Sequence, residues 1–415
     1  MRNQKNAMLC SKIHTLPLTL LLIVFLCPFL WRGAEIKSQT LVNNGAPINN
    51  VNSQIYVNGG ISNKLNGLFE NSGSIYLTGD WSNTAGNAAF TGTSTGAVIM
   101  QGVGQNIEGT SVTEFYNLML EGAASIKQLV GIDAIVKNQL DLNDCELATN
   151  TNTIYVTNTS STAITRNIGF VSSLGTGALV RNTAANSPYF FPVGSSVGTV
   201  RFRPIELTPD NSLNNSYAVR MANTDATSEG FDRNVKQSEI ESVNPLYYHR
   251  INRITGNAKA TIAIYYDAAQ DGTFSGMAHW QNMPQWENML AAAGNSNYGL
   301  SAMNKFDWDD FTTPAYALLK IKNECGETFV PNAFSPDNDG ANDLECVLGK
   351  CIQDFYFAIY DRWGEKIFET TDQKNCWDGT YKGKLMNTAV FVYYLKVTLT
   401  TGELINKKGN ITLIR

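Results

Sequence analysis

The chain has 415 residues, 43% hydrophobic and only 16% charged, with 31 Lys and Arg set against 36 Asp and Glu. That length suits two or three domains, and apolar and aromatic side chains spread throughout exclude a disordered polymer. A nucleic-acid binder is excluded too, because no basic patch is available to neutralise phosphates.

Arg2, Lys5 and Lys12 precede an unbroken apolar run from Leu16 to Leu30. A run of about fifteen residues is shorter than the roughly 20 that span a bilayer as a helix. Residues 1–38 therefore read as an export signal, cleaved between Ser38 and Gln39, with a retained N-terminal anchor as the competing reading. A lipoprotein is disfavoured, since Leu26 before Cys27 is too large for that cleavage site. Without residues 1–38 the balance is 26 basic against 35 acidic groups, a net −9. Such a chain gains solubility and avoids anionic membranes and polyanions. No second segment approaches spanning length, so the expected mature chain is not membrane-spanning and lies outside the inner membrane.

Residues 39–185 carry a repeat. The segment Ile55-Tyr56-Val57-Asn58-Gly59-Gly60-Ile61-Ser62-Asn63 returns twenty residues later as Ile75-Tyr76-Leu77-Thr78-Gly79-Asp80-Trp81-Ser82-Asn83. Short apolar strands follow at Val98–Met100, Leu118–Leu120, Leu140–Leu142, Ile154–Val156 and Leu179–Val180. Strands of three to five residues at that period predict a β-solenoid, a β-helix-like stack in which each coil buries its inward side chains only against its neighbours. Gly and Asn tolerate its left-handed corners, and Thr, Ser and Asn are expected to face outward. A sandwich of hairpins is the alternative. Cys145 is expected as a small buried side chain.

Residues 186–324 read as an antiparallel β-sandwich. Strands are expected at Tyr217–Met221, Leu246–Ile254, Ala260–Asp267 and Ala315–Ile321, with a short helix around Glu287–Ala293. Trp280, Trp286 and Trp308 are scattered among polar loops.

From Phe329 onward the motifs become dense: FVPNAFSPDNDGANDLE at 329–345, FAIYDRWGEKIF at 357–368, WDGTYKGK at 377–384, VFVYYLKVT at 390–398 and KKGNITLIR at 407–415. Period-2 alternation broken at Gly364, Asp378-Gly379 and Lys382-Gly383 predicts some seven short strands in a small immunoglobulin-like β-sandwich. Over residues 325–415 this segment resembles the gliding-motility-associated C-terminal domain, the type B sorting domain of the type IX secretion system of Bacteroidetes. Asp337 stands where that family more often has Asn. The resemblance implies that the type IX translocon is a partner and that the passenger crosses the periplasm to the cell surface or beyond. The tail Lys407–Arg415 is then the strand offered to the translocon.

Cys325, Cys346, Cys351 and Cys376 fall within this segment. An exported location favours two disulfides there; zinc is the competing reading, though the segment has no CxxC pair and no His. Of the three pairings, Cys325–Cys346 with Cys351–Cys376 is preferred. Asp337, Asp339 and Asp343 space carboxylates as a calcium loop does, around Gly340 and after Ser335. The twelfth position is Cys346, so the usual bidentate Glu is out of register with Glu345 beside it. A Ca²⁺ ion competes there with an Asx-rich turn that satisfies its own backbone.

Catalytic signatures are sparse. His249 and His279 lie in no HExxH or HxH pattern, and no GxSxG or GxxxxGK[ST] occurs. Gly102-Val103-Gly104 reads as a solenoid corner. Asp307 with Asp309, or Asp141, Asp144 and Glu146, could supply paired acids for sugar chemistry, but solvated loops are the preferred reading for both groups. Trp280 and Trp286 could stack on sugar rings, with core packing as the default. The sequence therefore predicts an all-β, non-enzymatic, secreted adhesin-like or structural protein without a cofactor, apart from the Ca²⁺ just considered. Its partners are expected to be surface glycans or other cells. The alternative is a secreted polysaccharide lyase or glycosidase built on the solenoid.

Overall fold

The computed structural model describes residues 39–122, 125–322 and 325–415, so the expected export signal at 1–38 lies outside the described residues. The fold is almost wholly β, with 51% of residues in strands and 2% in helices.

The repeat folds as a solenoid of about seven turns. Leu41–Asn44, Ile61–Lys64, Trp81–Thr84, Asn106–Gly109, Ile126–Val130, Glu146–Ala148 and Phe170–Ser172 stack as one seven-stranded sheet. The twenty-residue period appears directly as register, because Leu41 pairs with Ile61 and Ile61 with Trp81. A second face stacks Gln54–Val57, Ser74–Leu77, Ala97–Met100, Thr113–Leu120, Ala134–Asp141, Thr153–Val156 and Ala178–Thr183. Its inward column runs Ile55, Ile75, Val98, Leu118 and Leu140. Every column side chain from Ile75 onward is buried, and Cys145 is buried as a free thiol.

One expectation is overturned. Asn43, Asn63 and Asn83 do not face outward; they form a buried column, joined from Asn63 Nδ2 to Asn83 Oδ1 at 3.2 Å. Asn50 and Asn71 form another, at 2.7 Å. A primary amide both donates and accepts, so Asn63 and Asn50 each donate to the identical amide one coil on, while Asn43 Nδ2 and Asn63 Oδ1 have no partner among the described residues. Their spare N–H groups close the corners, as Asn63 Nδ2 does to the Gly67 carbonyl at 2.9 Å. Gly59 is required by the corner itself: its φ is +153°, and a Cβ there would sit 2.0 Å from the Gln39 carbonyl oxygen.

The second solenoid face does not stop at the last coil. Ala178–Thr183 pairs in parallel with Thr153–Val156 and antiparallel with Asn215–Ala222. The sheet then continues through Tyr248–Thr255, Ala315–Ile321, Gly276–Trp280 and Trp286–Asn288, and reaches fourteen strands with Ile164–Thr165 and Ile240–Val243 paired at its sides. A five-stranded antiparallel sheet of Tyr189–Phe191, Ile205–Pro209, Ala260–Tyr266, Leu300–Trp308 and Ala292–Asn297 packs against this extension. Tyr189, Leu207, Val219, Ile251, Ile264 and Leu318 therefore belong to the same apolar core as Leu140 and Ile154 of the solenoid.

The helix expected at Glu287–Ala293 is absent. Trp286–Asn288 and Ala292–Asn297 are strands, because Trp286 is drawn into the core opposite Trp280 and Leu290 takes a φ of +55° between them. The α-helical turn is Ala268–Asp271, capped by Asp267, which accepts from the amides of Ala269 and Gln270.

The last domain has its own core, centred on Phe357, Ile359, Trp377, Leu395, Val397 and Ile411. Its main sheet orders Ala333–Phe334, Leu404–Leu413, Ala389–Leu399, Ile352–Tyr360 and Lys366–Thr370. Gly364, at φ +81°, turns the hairpin between the last two. The domain is an immunoglobulin-like β-sandwich. All four cysteines are paired, but as Cys325–Cys351 and Cys346–Cys376. The preferred neighbour pairing fails because the backbone bridge between Glu345 and Trp377 places Cys346 beside Cys376, with their Cα atoms 4.7 Å apart.

Candidate functional site

The solenoid acids do not converge. Asp141 ends a strand of one face and Glu146 begins a strand of the other. Asp141 caps the Asn143 amide at 3.1 Å, Asp144 accepts from Asn167 Nδ2 at 2.6 Å, and Glu146 accepts from Ser172 Oγ at 2.5 Å. A groove of about 180 Å³ runs past Glu146, Ala148, Ser172, Ser173 and Ser195. Glu146 is the one carboxylate among its lining residues, whereas glycoside hydrolysis uses two.

Asp307 and Asp309 are both exposed. Asp307 takes a φ of +53°, which interrupts strand alternation, and Asp309 lies 3.4 Å from the Arg253 guanidinium. Trp280 and Trp286 are buried against each other and Phe231, with centroids 5.5 Å apart. They offer no face to a sugar.

A concavity lies on the outer side of the five-stranded sheet. It holds about 300 Å³ and is lined by Glu206, Thr208, Thr261, Ala263, Tyr265, Asn295, Ser296, Asn297 and Asn304. Alternation puts these side chains outside: Glu206 and Asn304 each pair with Ala263 across adjacent strands, while Ile205, Ile262 and Met303 turn inward. Glu206 accepts from Tyr265 Oη at 2.7 Å and from Tyr298 Oη at 2.5 Å. Burial and the Glu206 carboxylate both hold these phenols above the ordinary tyrosine range. Tyr298 is 41% exposed and contacts Phe190 at 4.6 Å and Tyr265 at 5.2 Å between centroids. Asn304 Oδ1 is buried with no hydrogen-bond partner among the described residues. Sequence reading passed over all four residues. The polar run Gly294-Asn295-Ser296-Asn297-Tyr298-Gly299 was the available signal, but its antiparallel neighbour had to be known first.

In the C-terminal domain, Asp337, Asp339 and Asp343 do converge, with one oxygen of each within 4.8 Å of the others, a spacing able to hold a metal ion. The three carboxylates also serve the local backbone. Asp343 accepts from the amides of Asn338 at 2.6 Å and Gly340 at 2.9 Å, and Asp339 accepts from Ala341 at 2.7 Å. Glu345 is not among them: its carboxylate is buried without a hydrogen-bond partner among the described residues, and burial pushes its pKa up to about 8.

A third group was not visible in the sequence. His279, Glu287 and Asp310 bring one ligand atom each within 4.8 Å of one another. His279 and Glu287 pair across a hairpin, which no linear spacing motif encodes.

A β-solenoid fused to a sandwich precedes an immunoglobulin-like module with a core of its own. Residues 328–413 match the family model of the CHU_C type IX secretion signal domain. That domain signals export out of the cell by the type IX system, with which the chain therefore interacts. No curated protein and no solved structure matches the chain. Among the described residues no helix is long and apolar enough to cross a membrane.

Proposed function

We propose that the chain is a type IX cargo that acts at the cell surface or outside the cell as a non-catalytic, adhesin-like binding protein, with neutral polysaccharide as the ligand of the sandwich cleft. The observation that carries this reading is a polar cleft on the outer sheet face, whose carboxylate, Glu206, is braced by two tyrosines. Sugar hydroxyls donate to Glu206 and to the amide oxygens of Asn295 and Asn297, and the exposed ring of Tyr298 offers an apolar face for sugar C–H groups. A net charge of −9 outside residues 1–38 disfavours polyanionic glycans.

Affinity electrophoresis through gels containing neutral polysaccharides tests the proposal. Retardation is expected for the wild type, lost in Asn304→Ala and Tyr298→Ala and kept in Asp307→Asn and Asp141→Asn. Equal migration of wild type and both cleft variants in every gel sinks it. The second reading is a carbohydrate-active enzyme on the solenoid, with Glu146 of the solenoid groove as its acid. Release of reducing or unsaturated ends, abolished by Glu146→Gln, would establish that reading instead. For the route, deletion of residues 325–415 is expected to leave the passenger in the periplasm, and normal export of the truncated chain refutes it.

A further inference from the structure

Two contacts at Nε2 bear on the tautomer of His279. Thr313 Oγ1 lies 2.9 Å from it and also contacts the Trp280 carbonyl, which can only accept. The Thr313 carbonyl, 3.1 Å from the same nitrogen, can only accept. Nε2 therefore carries the ring proton, and Nδ1 of the neutral ring is a lone pair.

That lone pair points at two more acceptors. Glu287 Oε1 lies 3.0 Å from Nδ1 and Asp310 Oδ2 lies 3.9 Å from it. Their other oxygens are already engaged, Glu287 Oε2 by Gln281 Nε2 and Asp310 Oδ1 by the amide and hydroxyl of Thr312. The imidazole is wholly buried, walled by Trp308 and Tyr316 with centroids at 5.0 and 4.8 Å. With Nδ1 unprotonated, three acceptors converge, one of them on a buried ring, and they repel one another unless a cation or a second ring proton sits between them.

We propose that His279, Glu287 and Asp310 bind a divalent transition-metal ion of the Zn²⁺ class through Nδ1 and one oxygen of each carboxylate. One imidazole nitrogen with two carboxylate oxygens suits zinc or its neighbours better than calcium or magnesium, which take oxygen alone. The surroundings match a ligating histidine, whose second ring N–H is held by a backbone carbonyl. The Asp310 side chain, 43% exposed, leaves an entry path and an open coordination position on the solvent side. The ion would clip the loop after Leu300–Trp308 to the hairpin that carries His279 and Glu287.

The test strips the full exported chain with a chelator and titrates it with Co²⁺, whose visible bands report nitrogen and oxygen coordination. One Co²⁺ per chain, displaced by Zn²⁺, is expected. Asp310→Asn and Glu287→Gln, both at partly exposed side chains, are each expected to weaken binding roughly 10-fold or more with the near-ultraviolet dichroism unchanged. Asp337→Asn, in the separate acidic loop, is expected to leave the bands intact. Absence of bands in the wild type, or bands indifferent to Asp310→Asn, overturns the proposal and leaves a protonated imidazole as the cation. Bands lost only in Asp337→Asn overturn it equally, by moving the ion to the other loop.

Discussion

Arg203 grips both carboxylate oxygens of Asp271, whose side chain has no solvent exposure. Arg201 approaches the same carboxylate at 3.4 Å and Tyr247 Oη donates to it at 3.1 Å. The helical turn Ala268–Asp271 is thereby tied to the strand and loop around Arg201–Arg203 at one end of the sandwich. Breaking a buried pair leaves an uncompensated charge behind. Asp271→Asn is therefore expected to destabilise the sandwich by about 3–5 kcal/mol. Urea unfolding followed by tryptophan fluorescence measures this, and a loss of less than about 1 kcal/mol, the range of surface pairs, would contradict it.

The two cores are expected to respond to pH in opposite directions. His249 is buried, and desolvation lowers its pKa from 6.5 to about 4. A histidine depressed in the fold stabilises above the unfolded value and loses that contribution as pH falls. The sandwich should therefore weaken between pH 6.5 and about 4. Glu345 is the reverse case, raised by burial from 4.5 to about 8. Its contribution is complete below 4.5 and is lost as pH rises through about 8. The sorting domain should weaken toward alkaline pH, and Glu345→Gln should flatten that dependence. Thermal midpoints of the two regions, resolved by calorimetry across the range, check both slopes.

The asparagine columns set the registration of the coils. Asn71 receives the Asn50 amide, accepts from the Gly73 amide at 3.2 Å and donates to the Ala97 carbonyl at 3.2 Å. Asn71→Ala leaves these buried groups unmatched, at about 1–3 kcal/mol. Asn58→Ala, at an exposed position, should stay within about 0.5 kcal/mol. Denaturant midpoints of the two variants give the comparison, and equal values would show that the columns do not hold the coils.

The crossed disulfides predict a fragment pattern. Proteolysis without reductant should yield linked peptides containing Cys325 with Cys351 and Cys346 with Cys376, identified by mass spectrometry. Replacing both Cys346 and Cys376 by Ser should destabilise the domain by about 2–5 kcal/mol. Linked Cys325 and Cys346 would refute the assigned topology.

Much of this architecture is written locally. The Ile55 and Ile75 repeats reveal the solenoid because each coil buries its own inward residues, and the hairpin at Gly364 shows through simple alternation. What escaped depended on neighbours distant in sequence. Asn63 and Asn83 read as solvent-facing because a lone amide is polar; only a second amide one coil away makes it a core residue. Glu287 read as the start of a helix because Trp286 was not known to face Trp280. The cleft residues Glu206, Tyr265 and Asn304 come from three strands whose order no periodicity specifies.

Because neighbouring coils are joined by backbone hydrogen bonds directed along the stack, tension pulling on its two ends strains those ladders in series. Coils should then detach in turn rather than together. Each released turn of twenty residues, the interval from Leu41 to Ile61, adds about 70 Å of slack chain. Stretched this way, the passenger behaves as a tether that lengthens in steps and dissipates sudden pulls.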